Sequence, residues 1–358
     1  MEEWKEYRLG DIVNIRNGIA FKSKDFVSEG IPVIKIKNVK PNNVLLEDLS
    51  YISETTLKDN KKCFFLRPSD ILITMTGNRK DGGSDSWVGK VAEFKEKGRF
   101  LLNQRVSALQ IRDEDVADNV FLSYMLSSWD AQLYFINHSN SSGGQANISP
   151  DVVKNYIIYL PTLSEQKRIA TILSSLDSKI SINKKINSNL EEQAKALFKS
   201  WFIDFEPFKG GKFVDSELGM IPEGWKVGRY DDIIEGTIAG DWGKEKSVGN
   251  YLHEVTCIRG CDFQDIKNGL RGNAPTRFIL EKNFKNKRFV SHDILVEISG
   301  GTQAVSTGRV CSISQKLIDT YNGNVVCTNF CRVVRPAEGY SAFAYYSWLY
   351  KYDQKVMF

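Results

Sequence analysis

Apolar and polar positions alternate by steps of four and three along one stretch of the chain, through Ile169, Leu173, Leu176, Ile180, Asn183, Asn187, Leu190, Ala194, Leu197 and Trp201. Residues three and four apart share one face of an α-helix, so this spacing predicts a single long helix carrying a narrow apolar seam. Pro161 precedes it, and Thr162 followed by Glu165 has the pattern of an N-terminal capping box. Pro207 and the Gly210-Gly211 pair predict its end, which places the helix over residues 161–206. A seam this narrow suits packing against another helix. A solvated spacer is the plainer reading, yet a spacer needs no aligned seam.

On the N-terminal side, residues 1–160 alternate short β-rich runs with turns: YRLGDIVNIRNG, IPVIKIKNV, CFFLRPSDILITMTG, WVGKVAEF and LLNQRVSALQI. A helical stretch, VFLSYMLSSWDAQLYF, follows, then a polar loop and a last strand, VVKNYIIYLP, leading directly into the long helix. This predicts an α+β domain. After a linker over 207–222 the pattern restarts at 223–358, as a repeat offset by roughly 222 residues. EEWKEYRLGDIV matches EGWKVGRYDDII, VIKIKNV matches VTCIRGC, SDILITMTG matches HDILVEISG, and WVGKVAEF matches STGRVCSI. Asn103 is set against Asn329, and FLSYMLSSW against FAYYSWLYK. Phe358 falls opposite about Ile136, so a second long helix is expected to come from outside this sequence.

Composition narrows the class. The 358 residues are 42% hydrophobic and 26% charged, with a net charge of +4, values of an ordinary globular protein and only weakly those of a nucleic-acid binder. The polar start MEEWKEYRLG and the lack of long apolar runs predict a cytoplasmic protein with no membrane partner. Cys257/Cys261 and Cys327/Cys331 have the spacing of paired metal ligands, but they sit inside apolar runs, where buried thiols are the rule. No metal or cofactor is expected. Phosphate-loop, zinc-helix and base-flipping methyltransferase motifs are absent from the sequence, and the three histidines have no catalytic spacing.

The order of these blocks resembles the specificity subunit of type I restriction-modification systems. The stretches that carry the resemblance are WKEYRLGDI and GMIPEGWKVGRYDDI at the two domain starts, NGIAFKSKDF, the paired DIL strands, SEQKRIATILSSLDSKI and ALFKSWFIDFEP. The resemblance implies two target-recognition domains, each reading half of a bipartite DNA sequence. It also implies a helix that sets their spacing and docks the modification (methyltransferase) subunits, which carry S-adenosylmethionine, and a restriction subunit that joins them. The chain itself would be non-catalytic. The alternative is a DNA-recognition fragment of a single-chain restriction-modification enzyme whose catalytic domain lies outside this sequence.

Reading DNA requires cations for phosphates and donors and acceptors for base edges. The candidates in the first domain are Lys22, Lys24, Lys35, Lys37, Asn38, Asn78, Arg79, Lys80, Gln145 and Asn147; in the second they are Arg259, Asp262, Arg271, Arg277, Thr302 and Gln303. The turns after Gly77 and Gly300 are favoured, being long, polar and in matching positions. The seam residues Ile169, Leu173, Leu176, Ile180, Leu190, Leu197 and Trp201 are expected to meet a partner helix, by self-association or on a modification subunit.

Overall fold

The computed structural model describes residues 4–59, 65–78, 86–142, 145–300 and 306–355. The chain divides into two units, Met1–Ile180 and Ser181–Phe358.

In the first unit the strands include β1 (Lys5–Arg8), β2 (Val13–Asn17), β3 (Phe26–Val27), β4 (Ile31–Ile34), β5 (Ser50–Ile52), β6 (Ile71–Thr74), β7 (Thr76–Gly77), β8 (Val91–Glu93), β9 (Leu101–Leu102) and β10 (Val106–Ile111). Helices α1 (Asn119–Leu126) and α2 (Trp129–Asn137) follow, then β11 (Asn140–Ser142), β12 (Gln145–Asn147) and β13 (Ile157–Leu160). An antiparallel sheet in the order β8-β6-β10-β2 faces a second sheet, β9-β4-β5-β3, in which β9 runs parallel to β4. Strand β6 is buried along its whole length, and its Ile71-Leu72-Ile73 run is apolar because both its faces are covered. Ile71 and Ile73 pack with Phe121, Phe135 and Ile158 on the helical side, and Leu72 packs with Ile34, Phe94 and Leu102 on the other. The predicted helical stretch is broken between α1 and α2, where Ser128 caps the second helix by accepting from the Ala131 amide at 3.3 Å. The predicted closing strand is β13, which pairs antiparallel with β1.

Helix α3 covers Leu163–Phe202, 40 residues or about 60 Å at 1.5 Å per residue. It ends four residues short of the sequence expectation. Phe205 adopts a left-handed backbone (φ 53°), and Phe202, Phe205 and Phe208 gather on Trp225 at 5.8, 5.3 and 5.1 Å, drawing the chain off the helix before Pro207 acts. Half of the capping box forms. The Glu165 amide donates to Thr162 Oγ1 at 3.4 Å, but the Glu165 carboxylate takes Arg168 at 2.9 and 2.7 Å instead of reaching back.

The second unit contains β14 (Ile234–Ala239), β15 (Tyr251–Ile258), β16 (Thr276–Leu280), β17 (Ile294–Glu297), β18 (Val310–Ser312), β19 (Val325–Cys327), β20 (Cys331–Pro336) and helix α4 (Ser341–Asp353). Its sheets, β18-β17-β20-β14 and β16-β15-β19 with β19 parallel to β15, repeat those of the first unit without a counterpart of β3. Leu295 enters one core with Ile258 and Cys327, while Ile294 and Val296 enter another with Ala344 and Leu349, as Leu72, Ile71 and Ile73 do in the first unit. The repeat is therefore one fold used twice.

Backbone hydrogen bonds refine the alignment. The amide of Asn103 donates to Ile34 O and that of Thr328 to Ile258 O, so Asn103 corresponds to Thr328 and not to Asn329. Likewise Lys35 and Asn38 form the turn that Arg259 and Asp262 form in the second unit, which moves the IKIKN block two residues from its sequence alignment. Short apolar runs match equally well at several offsets; hydrogen-bond register does not.

Gly18 and Gly240 occupy one structural position in the two units. A Cβ on Gly18 would lie 2.2 Å from Asn103 O, and one on Gly240 would lie 1.9 Å from Thr328 O, so the strand ends approach too closely for any side chain. Gly240→Ala is expected to destabilise the second unit by about 3 kcal/mol. Gly236→Ala, where a Cβ meets nothing within 4 Å, serves as the control in urea denaturation.

Candidate nucleic-acid interface

Four chain segments of the first unit meet at one end of its two sheets. Gly18 follows β2, Lys35 follows β4, Met75 follows β6, and the turn Asn103–Arg105 joins β9 to β10. They are laced together by Gly18 N to Val106 O (3.1 Å), Ile19 N to Leu102 O (3.0 Å), Gln104 N to Ile19 O (2.8 Å), Asn103 N to Ile34 O (3.0 Å) and Met75 N to Arg105 O (2.9 Å). Strand β7 then pairs with β12, and β12 with β11, so that Thr76 Oγ1 donates to Asn147 Oδ1 at 2.8 Å. This small sheet places Asn78, Gln145 and Asn147 near one another, although the polar loop is far from Asn78 in sequence. Asn78 Nδ2 donates to Ser86 Oγ at 3.1 Å.

Sequence reasoning missed Arg105, which is exposed at the same sheet end with its NH1 3.4 Å from Gln145 Oε1. Its signal is the Asn-Gln-Arg turn inside the LLNQRVSALQI run, a polar break between two apolar stretches.

Several predicted readers are spent on the fold. Asn38 is 1% exposed; its Oδ1 accepts from Lys35 N at 3.0 Å and its Nδ2 donates to Leu45 O at 3.1 Å, so it fastens a turn and is removed from the interface. Asp262 is buried in the same role. Arg259 is correspondingly tied, with Nε and NH2 on Asp262 at 3.0 and 2.9 Å and NH2 also on Asn273 O at 2.9 Å. Arg277 is buried over the Trp242 ring at 3.9 Å and paired with Glu245, and is removed as well. Asn38 and Asp262 are buried because each caps a turn, and Arg277 because it points inward from β16; a list of polar residues shows neither.

Others remain at the surface. Lys22 and Lys24 are exposed on a tight turn, Lys37 pairs with Asp48 at 2.5 Å, and Arg271 is exposed with its guanidinium 5.2 Å from the Tyr321 ring centre. Lys35 lies 3.5 Å over the Phe26 ring, and partial burial, with Lys37 close by, lowers its pKa. Arg79, Lys80, Thr302 and Gln303 lie outside the described residues.

Helix α3 is anchored at both ends within the respective units. Near its start Gln166, fully buried, accepts from Asp118 N at 2.9 Å and donates to Val116 O and Pro161 O at 3.0 and 2.9 Å, while Ala170 and Ile169 join the core of the first unit. Near its end Phe198 and Phe202 stack on Phe343 of α4 at 5.8 and 5.0 Å, and Lys195 pairs with Asp353 at 3.6 Å. Ile169 is thus withdrawn from the open seam, and Leu173 is half-buried. Leu176, Ile180, Leu190, Leu197 and Trp201 stay exposed. So do Ile172, Ile182 and Ile186, which the seam count left out and which flank Asn183 and Asn187 with apolar surface.

The cysteine pairs are not arranged as ligands. Cys257, Cys327 and Cys331 are buried, and burial pushes the Cys257 thiol up to about 12 and the Cys331 thiol up to about 11. Among the described residues no group of acidic, His and Cys side chains is placed to hold a metal, and no helix is long and apolar enough to cross a membrane.

Two copies of one α+β fold, one before and one after a 40-residue helix in the chain, define a tandem-repeat protein with an exposed strand-end surface in each copy. The family model of the type I restriction modification DNA specificity domain matches residues 1–192, and the chain belongs to that family. It is 31% identical over 316 residues to the MjaIX specificity subunit of Methanocaldococcus jannaschii, covering 84% of this chain and 67% of that one. It is 25% identical over 320 residues to the EcoBI specificity subunit of Escherichia coli, covering 86% and 63%. A putative MjaX specificity subunit from the former organism is 31% identical over 229 residues, covering 63% and 51%. The chain therefore spans between about half and two thirds of the length of these relatives. The crystal structure of the S subunit from M. genitalium shares the fold, with a TM-score of 0.53 at 14% identity over 98% of this chain and 78% of that one.

Proposed function

We propose that the chain is the DNA-reading specificity subunit of a type I restriction-modification complex, non-catalytic in itself and working in the cytoplasm, with each unit reading one half of a bipartite duplex target. The observation that carries this reading is the repetition of one fold, with the same strand ends presented in each copy, within a chain of the DNA specificity family. A repeated reader suits a target in two parts, because each copy meets its own base pairs. Exposed cations such as Lys22, Lys24 and Arg271 hold phosphates, while Arg105, Gln145 and Asn78 meet base edges in the first half. The open stripe of α3 receives a helix from a modification subunit or from a second copy, and a restriction subunit joins that assembly.

Exchanging residues 1–160 for the matching domain of a relative is expected to change one half of the methylated target and leave the other intact, as read by mapping adenine methylation in cells that also carry the modification subunit. A swap that altered both halves would contradict independent reading.

A further inference from the structure

The β19–β20 turn carries a large apolar side chain where the first unit carries a cation. Met75 N donates to Arg105 O at 2.9 Å, and Ile298 N donates to Phe330 O at 2.9 Å. Val106 N donates to Asn103 O, and Cys331 N to Thr328 O, closing the same turn in each unit. Arg105 and Phe330 therefore occupy one position of the repeated fold, at the sheet end where the candidate interface lies.

We propose that Phe330 contacts the methyl group of a thymine in the second half of the target, at the place where Arg105 meets a base in the first; this rests on the DNA-reading function above. The fold has no use for the Phe330 ring. It is 62% exposed, belongs to no core cluster and stacks on no other ring among the described residues. Its backbone, by contrast, is held firmly: the amide donates to Oγ1 of the buried Thr328 at 3.2 Å, and the carbonyl also accepts from Ser299 N at 3.3 Å. A rigid turn that aims a phenyl ring outward, with the exposed Ile298 beside it and Ser299 and Asn329 around, is a preorganised apolar probe. Thymine is the one base that offers an apolar group in the major groove, and Phe is among the side chains that meet it. At the equivalent place Arg105 meets no carboxylate among the described residues, which leaves most of its fork for a guanine edge. One position thus asks opposite chemical questions of the two half-sites.

The test uses the full chain and a duplex recovered by selecting that chain against a random pool. Thymines in the half-site left unchanged by the domain exchange are replaced one at a time by deoxyuridine, which keeps the base pair and removes the methyl group. One replacement is expected to weaken binding about fourfold, the worth of one buried methyl. Phe330→Ala is expected to lose a similar factor and then to be indifferent to that replacement, with an unchanged thermal melt because the ring is exposed. Full-strength binding with every thymine replaced, or a Phe330→Ala chain still sensitive to deoxyuridine, overturns the proposal. So does a Phe330→Ala chain that loses only its affinity for the modification subunit, which would make the ring a protein contact. Failure to enrich any duplex removes the DNA-reading function itself, a separate result that takes this proposal with it.

Discussion

Changing Leu176 and Leu190 together to Glu is expected to abolish association through α3. Both side chains are more than half exposed in the isolated chain, beside Ile172, Ile180, Ile182 and Ile186. An antiparallel pairing of two copies centred on Asn183 sets each Leu176 opposite the Leu190 of the second copy and each Ile180 opposite Ile186, because 183 is the midpoint of both pairs. A two-fold arrangement lets one stripe satisfy itself, and Asn183 meeting Asn183 fixes the register. Four leucines per pair, at about 1.5–3 kcal/mol each on burial, sum to on the order of 6–12 kcal/mol. The substituted chain places four carboxylates in those layers, which adds desolvation to the lost burial. Sedimentation velocity with and without the modification subunit measures the outcome. If the unaltered chain stays monomeric at micromolar concentration and binds the modification subunit as well with the two glutamates as without, the helix is no docking surface.

Arg309→Met in the second unit is expected to cost about 3–5 kcal/mol of stability, the usual consequence of stranding a buried charge. Arg309 grips Glu297 through Nε and NH2 at 2.8 and 2.6 Å, and Glu297 is 4% exposed at the end of β17. Gly260 closes over the carboxylate so tightly that a Cβ there would lie 2.1 Å from Glu297 Oε1, so water has no easy route to replace the arginine. In the first unit the same strand position holds Thr74, whose Oγ1 accepts from Lys90 N at 2.9 Å. The pair is thus a feature of one copy only. Glu297→Thr combined with Arg309→Met should recover much of the loss, since no charge is then left without a partner. Urea midpoints of the single and double variants decide it; equal losses in both would mean that the ion pair is not the cause.

The sequence alone determined the elements whose signal is local. The steps of four and three through Leu176, Ile180 and Leu190 specified α3 because helical periodicity is written in consecutive residues. The paired DIL runs specified β6 and β17, since three consecutive apolar residues in a strand mark burial on both faces. The order of matching blocks established the repeat, and the resemblance it supported led to the right family.

Only the tertiary structure decided what depends on contacts between distant segments. Hydrogen-bond register set Lys35 against Arg259 and Arg105 against Phe330, and thereby showed which positions of the two readers are equivalent. Burial separated Asn38 and Arg277, which serve the fold, from Arg105 and Phe330, which face outward, although polarity in the sequence had favoured the first pair. The aromatic cluster on Trp225 ended α3 before its proline, and the core of the first unit claimed Ile169 from the seam. Periodicity tells a side chain which face of its own element it occupies; what covers that face is supplied by residues far along the chain.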